Sequence, residues 1–349
     1  MRSLTLAALT LLTLLPVAFS FGDSAMLFKG ADRDTDGRFI NLKGELSHGP
    51  LSVRAPFFFR RFGTYFRSGK DAPERVDNDG AFLRANAGGG EPTVTWIGHS
   101  TLLVQTEHLT FLTDPIWSGR PSPVPLIGPS RFVDPGLALD DLPPIDFVLI
   151  SHNHFDHMDL PTLRDLAQLN AETQFIVPLG NGDLLRGKGI SNIQELDWGQ
   201  TTTVKGASIH CLPAQHWSKR SLSDNDKALW SSWAVIGEQR RFYFAGDTGY
   251  FAGFKDIGEK LGPFDLAAMP IGAYEPTAMM REAHMNPDEA VRAAQDLGAK
   301  TVLAMHFGTF DLSDEPLSEP PIRFKAAAKN TAFGDENSWV FDIGETRAF

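Results

Sequence analysis

The chain of 349 residues contains a single cysteine, Cys211. No intrachain disulfide is available, so stability must come from packing and any metal chemistry must use other donors. Basic residues are scarce as well. Thirty-two Lys and Arg face 43 Asp and Glu, and the net charge of −11 weighs against a nucleic-acid partner, which would want a basic face. Beyond residue 20 no apolar run reaches the roughly eighteen residues of a membrane span, which excludes a multi-pass membrane protein. No repeat of about 20 to 50 residues is visible either, so a solenoid is excluded. What is present is 42% hydrophobic residues, enough for a buried core.

The opening "MRSLTLAALTLLTLLPVAFS" carries Arg2, an apolar stretch from Leu4 to Phe19 broken only by Thr and Pro, and the small residues Ala18 and Ser20 near its end. Residues 1–20 therefore read as a secretory signal peptide, with export to a periplasm or to the medium as the expectation and an uncleaved, membrane-associated signal anchor as the alternative. Residues 21–90 show weak periodicity and close on "NAGGGEPT", the pattern of an irregular N-terminal extension. Within them "RAPFFFRRFGTYFRSGK" (54–70) holds five basic residues, six aromatics and no acid. That composition suits either a lipid surface, with rings inserted and cations among headgroups, or a segment packing its Phe residues on the core.

From 91 to 345 the pattern becomes short β-rich runs between turns, among them "TVTWIGHSTLLVQT", "DFVLISH", "RFYFAGD" and "TVLAMHFG". A helix is predicted over Pro287–Leu297. Asn286 stands at its N-cap, Pro287 at the first position, Asp288 and Glu289 in the first turn, and Gly298 after its end. Helices alternating with strands define an α/β layered domain. Cys211, inside the strand-like "SIHCLPA", reads as a small buried hydrophobe.

Three of the β runs end in a metal-competent side chain: "DFVLIS" leads to His152, "RFYFAG" to Asp247 and "TVLAM" to His306. Rigid strands aim such side chains and the following loops leave them open to substrate. In "HNHFDH", His152 and His154 share one side of an extended segment, while Asp156 and His157 can turn toward a second ion. Four donors in six residues suit two metals better than one. His216 in "PAQHW" completes the first set and His306 the second. Asp247 is the natural bridge, because a carboxylate can hold two cations and a neutral imidazole does so poorly. Structural zinc sites are closed and Cys-rich, whereas His and carboxylate donors with room for water point to catalysis; iron and manganese accept the same donors.

The pattern H-x-H-x-D-H, followed by "QHW", "GDTG" and "MHFG", resembles the metallo-β-lactamase superfamily, whose fold is an αββα sandwich with a dinuclear zinc site at the sheet edge. More closely, "TWIGHSTLLVQ", "FLTDPIWS", "QHWSKRSLSDNDKALWSSWAVIG", "GPFDLAAMPIGAYEP" and "HMNPDEAVR" look like its N-acyl-phosphatidylethanolamine phospholipase D branch, over about residues 93 to 325. The resemblance implies a zinc phosphodiesterase with two ions per chain, acting on N-acylated phospholipids at a membrane surface, and a homodimer. It implies the same seven ligands, His152, His154, Asp156, His157, His216, Asp247 and His306. It adds His284 in "AHMNP" as a group near the phosphate, so that Asp156, Asp247 and His284 are the expected catalytic residues.

The first ninety residues do not follow the family pattern, which leaves the lipid preference open. A hydrolase of another ester, such as a lactone or sugar phosphate as in the ascorbate-6-phosphate lactonases, is the alternative, and a metal-bearing protein without turnover is a third reading. Tyr274, Glu275 and Pro276 match the branch too. His99 is expected to support the site by hydrogen bonding. Lys219 and Arg220, just after His216, could contact a phosphate or, as exposed basic pairs more often are, be solvated. Trp217, Trp230, Trp233 and Phe251 could line an acyl groove or belong to the core.

Overall fold

The computed structural model describes residues 28–63, 69, 71–124 and 128–349. The expected signal peptide at 1–20 and residues 64–68 and 70 of the basic aromatic stretch lie outside the described residues. Two seven-stranded sheets form the centre. The first contains β1 (Thr93–Gly98), β2 (Thr101–Thr106), β3 (Leu109–Thr113), β4 (Phe147–Leu149), β5 (Gln174–Pro178) and β6 (Ile193–Leu196), with the last strand of the chain, β14 (Thr346–Ala348), paired antiparallel to β1. The second contains β7 (Thr201–Val204), β8 (Ala207–Leu212), β9 (Ser232–Ile236), β10 (Arg241–Phe244), β11 (Leu266–Pro270), β12 (Thr301–Met305) and β13 (Ser338–Trp339), in that spatial order. β14 lies past residue 345, so the first sheet takes its edge from the last residues of the chain.

Strand alternation builds the layers. In β2, Leu102 and Val104 face the core between the sheets while Leu103 faces outward. In β4, Phe147 and Leu149 point inward and Val148 outward; in β5, Ile176 points inward and Phe175 and Val177 outward. Period-two alternation in which both faces are apolar requires cover on both sides. The inner face meets the second sheet, where Phe111 of β3 touches Phe242 of β10 edge-on at 5.6 Å between ring centroids. The outer face of the first sheet is covered by α2 (Ala81–Asn86), α3 (Leu160–Leu169) and α4 (Gly182–Arg186), through Leu83, Leu163, Leu166 and Leu185. The second sheet is covered by α5 (Gly253–Leu261), α7 (Pro287–Asp296) and α8 (Glu319–Ala328), with Phe254, Ile257, Ala290, Ala294 and Phe324 fully buried. The result is the αββα sandwich.

The predicted helix forms as α7, one residue shorter than expected. Its capping box is complete: Glu289 N–H donates to the Asn286 side chain at 2.9 Å, and Asn286 N–H donates to the Glu289 carboxylate at 3.2 Å. These two bonds satisfy donors that any helix start leaves orphaned. The stretch 28–90 contains more order than an irregular extension: α2 plugs Leu83 beneath the first sheet, and α1 (Leu51–Gly63) runs beside the short α6 (Thr277–Met280). Among the described residues no helix is long and apolar enough to cross a membrane.

Candidate metal centre

β3 and β4 run parallel in the first sheet, and β8, β10 and β12 share one direction in the second. Each ends at the same edge, and each is followed by a candidate donor or its support. Asp114 follows β3, His152 to His157 follow β4, His216 follows β8, Asp247 follows β10 and His306 follows β12. The turn before Asp247 needs its glycine. Gly246 has φ +58°, and a Cβ there would lie 2.4 Å from the Cβ of Ser151, against the loop that carries His152. Three site residues with side chains also sit in the left-handed region: His99 (φ 53°), Asp114 (φ 35°) and His306 (φ 58°). Strain of this kind persists only where the surroundings over-determine the conformation, and it clusters at functional sites.

All seven ligands predicted from sequence meet here, in two sets. The donor atoms of His152, His154 and His216 lie within 4.8 Å of one another, and those of Asp156, His157 and His306, with His99, form a second such group. In the first set His154 Nδ1 is 2.7 Å from His152 Nε2 and 3.2 Å from His216 Nε2. Asp247 lies between the sets. Its Oδ2 is 3.9 Å from His216 Nε2 and 3.2 Å from His157 Nε2, and its Oδ1 is 3.1 Å from His306 Nε2. His284 stands beside this carboxylate, with Nδ1 3.8 Å from Asp247 Oδ2. His152, His157, His216, Asp247 and His306 are buried, while His154, Asp156 and His284 are half-buried, so the site opens to solvent on their side. Trp217 forms a wall of that opening, 4.2 Å from the His154 ring.

The supporting bonds fix which nitrogen faces inward. His216 Nδ1 lies 3.0 Å from the carbonyl of Ala283, which can only accept, so Nδ1 carries the proton and Nε2 presents a bare lone pair. Asp114 does the same for two rings at once. Fully buried, it accepts from His157 Nδ1 at 2.7 Å, from the Ser151 hydroxyl at 2.6 Å and from Ser151 N–H at 2.7 Å. With its hydrogen committed to Asp114, the Ser151 oxygen accepts from His152 Nδ1 at 2.9 Å. One carboxylate thus orients a ring in each set, an arrangement typical of groups behind metal ligands. Sequence reasoning gave Asp114 no role. Its traces were an acid directly after a buried strand and its place in "FLTDPIWS", one of the stretches that resemble the branch.

Electrostatics divides the sets. Burial pulls His152 and His216 well below the ordinary imidazole value, and His154 and His284 down to about 4, so these four are neutral near pH 7. Burial pulls on His157 too, yet Asp247, Asp156 and Asp114 outweigh it and hold its pKa well above the ordinary value. His306 is raised to about 9, burial being overcome by Asp247 and Asp156. Despite burial, His157 and His306 keep Asp156 and Asp247 well below the usual carboxylate range. Buried carboxylates demand compensating positive charge, from protons on the imidazoles or from cations among them.

A second observation tests the fit to metal. His154 Nε2, His157 Nε2, His284 Nδ1, Asp247 Oδ1 and both ring nitrogens of His306 are buried without making a hydrogen bond. Native proteins pair nearly all such atoms, so this cluster of unpaired ring nitrogens and a carboxylate oxygen within one site fits donors meant for cations.

His99 supports Asp156, with Nε2 2.9 Å from its Oδ2. Arg220 is not solvated. It donates to the carbonyls of Asn153 and Met158, both at 2.8 Å, and lies over the Phe155 ring at 4.0 Å, bracing the ligand loop from below. Trp230, Trp233 and Phe251 belong to the core, and of these four only Trp217 stands at the site. Cys211 is fully buried, its thiol directed at the Leu196 carbonyl.

Fold and donor set define a class, the metal-dependent hydrolases of the αββα type, and the sequence profile of the β-lactamase superfamily domain matches residues 110–307. A metallo hydrolase from the archaeon Ignicoccus hospitalis shares the fold, with a TM-score of 0.57 and 24% identity over 74% of this chain and 98% of that one. Among proteins of known name, the chain is 46% identical over 263 residues to N-acyl-phosphatidylethanolamine-hydrolyzing phospholipase D 1 of Caenorhabditis elegans, covering 72% of this chain and 74% of the relative. It is 36% identical over 262 residues to the yeast N-acyl-phosphatidylethanolamine-hydrolyzing phospholipase D, named mitochondrial, covering 73% of this chain and 55% of that one. The chain belongs to this phospholipase D family of the β-lactamase superfamily.

Proposed function

We propose that the chain is an exported phosphodiesterase that hydrolyses N-acyl-phosphatidylethanolamine-type phospholipids to N-acylethanolamine and phosphatidate, using two zinc ions. His152, His154 and His216 would hold one ion, Asp156, His157 and His306 the other, and Asp247 both. The position of Asp247, within 3.9 Å of a donor in each set, carries this reading. When bound, a pair of zinc ions supplies Lewis acidity to a phosphodiester and makes water acidic enough to attack near neutral pH.

The chain's own residues do the rest. His284, beside Asp247 on the open side, would donate a hydrogen bond to a phosphate oxygen, and Trp217 would limit water access beside His154. Asp114, Ser151 and the Ala283 carbonyl hold the rings of His157, His152 and His216 so that their Nε2 atoms already face inward, which lessens the reorganisation the site needs. A lipid substrate is supported by α1, which turns Leu51, Phe58 and Phe59 to solvent with Arg54 and Arg60 exposed beside them. The reading takes the chain as a homodimer, with residues 1–20 as signal and 91–345 as the hydrolase domain.

The test is phosphatidate release from N-acyl-phosphatidylethanolamine vesicles by the purified protein. Release that stops on chelation and is lost in Asp247→Asn is expected. No release, together with turnover of soluble diesters or lactones, would replace the substrate. Elemental analysis distinguishes zinc from iron or manganese, cell fractionation tests export, and sedimentation tests the dimer.

A further inference from the structure

We propose that Asn41 is a positioning residue for His216, by which a segment outside the matched family domain completes one half of the metal centre. The proposal rests on the reading of His152, His154 and His216 as ligands. Asn41 precedes His216 by 175 positions and lies outside residues 110–307. Its side-chain NH2 donates to the His216 carbonyl at 2.8 Å, and its side-chain oxygen accepts from His216 N–H at 3.0 Å. The amide is buried, 7% exposed, so water does not compete for these bonds.

The reciprocal pair does for His216 what a neighbouring strand does in a sheet. It is needed because β8 ends at Leu212, and His216 stands in a loop without a ladder partner. The Ala283 carbonyl fixes how the ring is turned, and Asn41 fixes where its backbone stands. Only an amide offers a donor and an acceptor on one rigid plane; aspartate would set a carboxylate against the His216 carbonyl, and alanine would leave both backbone groups orphaned. Asn41 is itself anchored. Phe39 is buried in the main core and donates its N–H to the Asp226 carbonyl at 2.8 Å, and Gly44 N–H closes a turn onto the Asn41 carbonyl at 2.8 Å. The same segment continues to His48, whose ring packs edge-on to Trp217 at 5.5 Å.

The experiment strips the full chain, Asn41→Ala, Asn41→Asp and His216→Ala with a chelator, then titrates zinc back in competition with a chromophoric chelator. Wild type is expected to take up two equivalents. Asn41→Ala is expected to bind one of them normally and the other about tenfold or more weakly, the magnitude usual for groups that orient a ligand. The weakened site is the one that His216→Ala abolishes, Asn41→Asp follows Asn41→Ala, and the stripped Asn41 variants unfold somewhat below the wild-type temperature, as the orphaned His216 backbone groups require. Two equivalents at unchanged affinity in Asn41→Ala would overturn the proposal. Equal weakening at both sites with a lower unfolding temperature of the stripped protein would overturn it too, since that marks general packing. A wild-type chain that takes up no zinc removes the metal reading itself, an outcome seen before any variant is compared.

Discussion

Asp114 touches Ser151 and His157 and no solvent, so its loss reaches the centre only through the two rings it orients. In Asp114→Asn an amide N–H2 stands where one acceptor was, and a ring in each ligand set loses its fixed proton position. Metal affinity or turnover is expected to fall by about 10- to 100-fold with the fold intact; zinc uptake and turnover equal to wild type would refute this role. The imidazoles also set a pH signature for the chelated protein. His154 and His284 are depressed to about 4, so the stability they contribute is present above the unfolded value near 6.5 and is lost as pH falls toward 4. His306 is raised to about 9, so its contribution is present below 6.5 and is lost as pH rises through 9. The unfolding temperature of chelated protein should therefore peak near neutrality, and a flat profile between pH 7 and 10 would contradict it. The convergence of the seven candidate donors was legible because their spacing is itself chemical information, four donors in six residues after a buried strand. Asp114 was not, because a lone acid has no spacing to read; its role exists only once β3 and β4 lie side by side.

At the scale of elements, strands with long apolar alternation could be read directly. β6, β7, β13 and β14 could not, since their sequences IQEL, TTTV, SW and TRA carry no apolar run and take their conformation from a neighbour. Helix α7 was legible because its start is written in local chemistry, Asn286, Pro287 and Glu289, which needs no tertiary context. Helix α1 lacks such marks and has Pro56 inside it, so the basic aromatic stretch left its role open. The structure buries Phe57 and exposes Phe58 and Phe59, with exposures of 52% and 80%. If that face meets lipid, Phe58→Ser with Phe59→Ser should slow phosphatidate release from vesicles several-fold. Turnover of a short-chain soluble diester should stay unchanged, because α1 supplies no donor to the centre. Equal loss on both substrates would show instead that α1 acts through the fold.

At the scale of the molecule, one design serves both stability and chemistry. Two sheets share a core, their parallel strands end at one edge, and the donors carried there come from both sheets, so the centre exists only when the sandwich is closed. The layered class was visible in the alternation of strands and helices, but the contribution of residues 39–48 was not, because contacts across 175 positions leave no local pattern. The central claim is that Asp247 joins two ions into one hydrolytic centre. The most direct measurement is phosphatidate release by the chelated chain as zinc is added back in known equivalents. The account predicts no release at zero and a rise that levels off at two equivalents per chain; full release without metal, or a plateau at one equivalent, would contradict it.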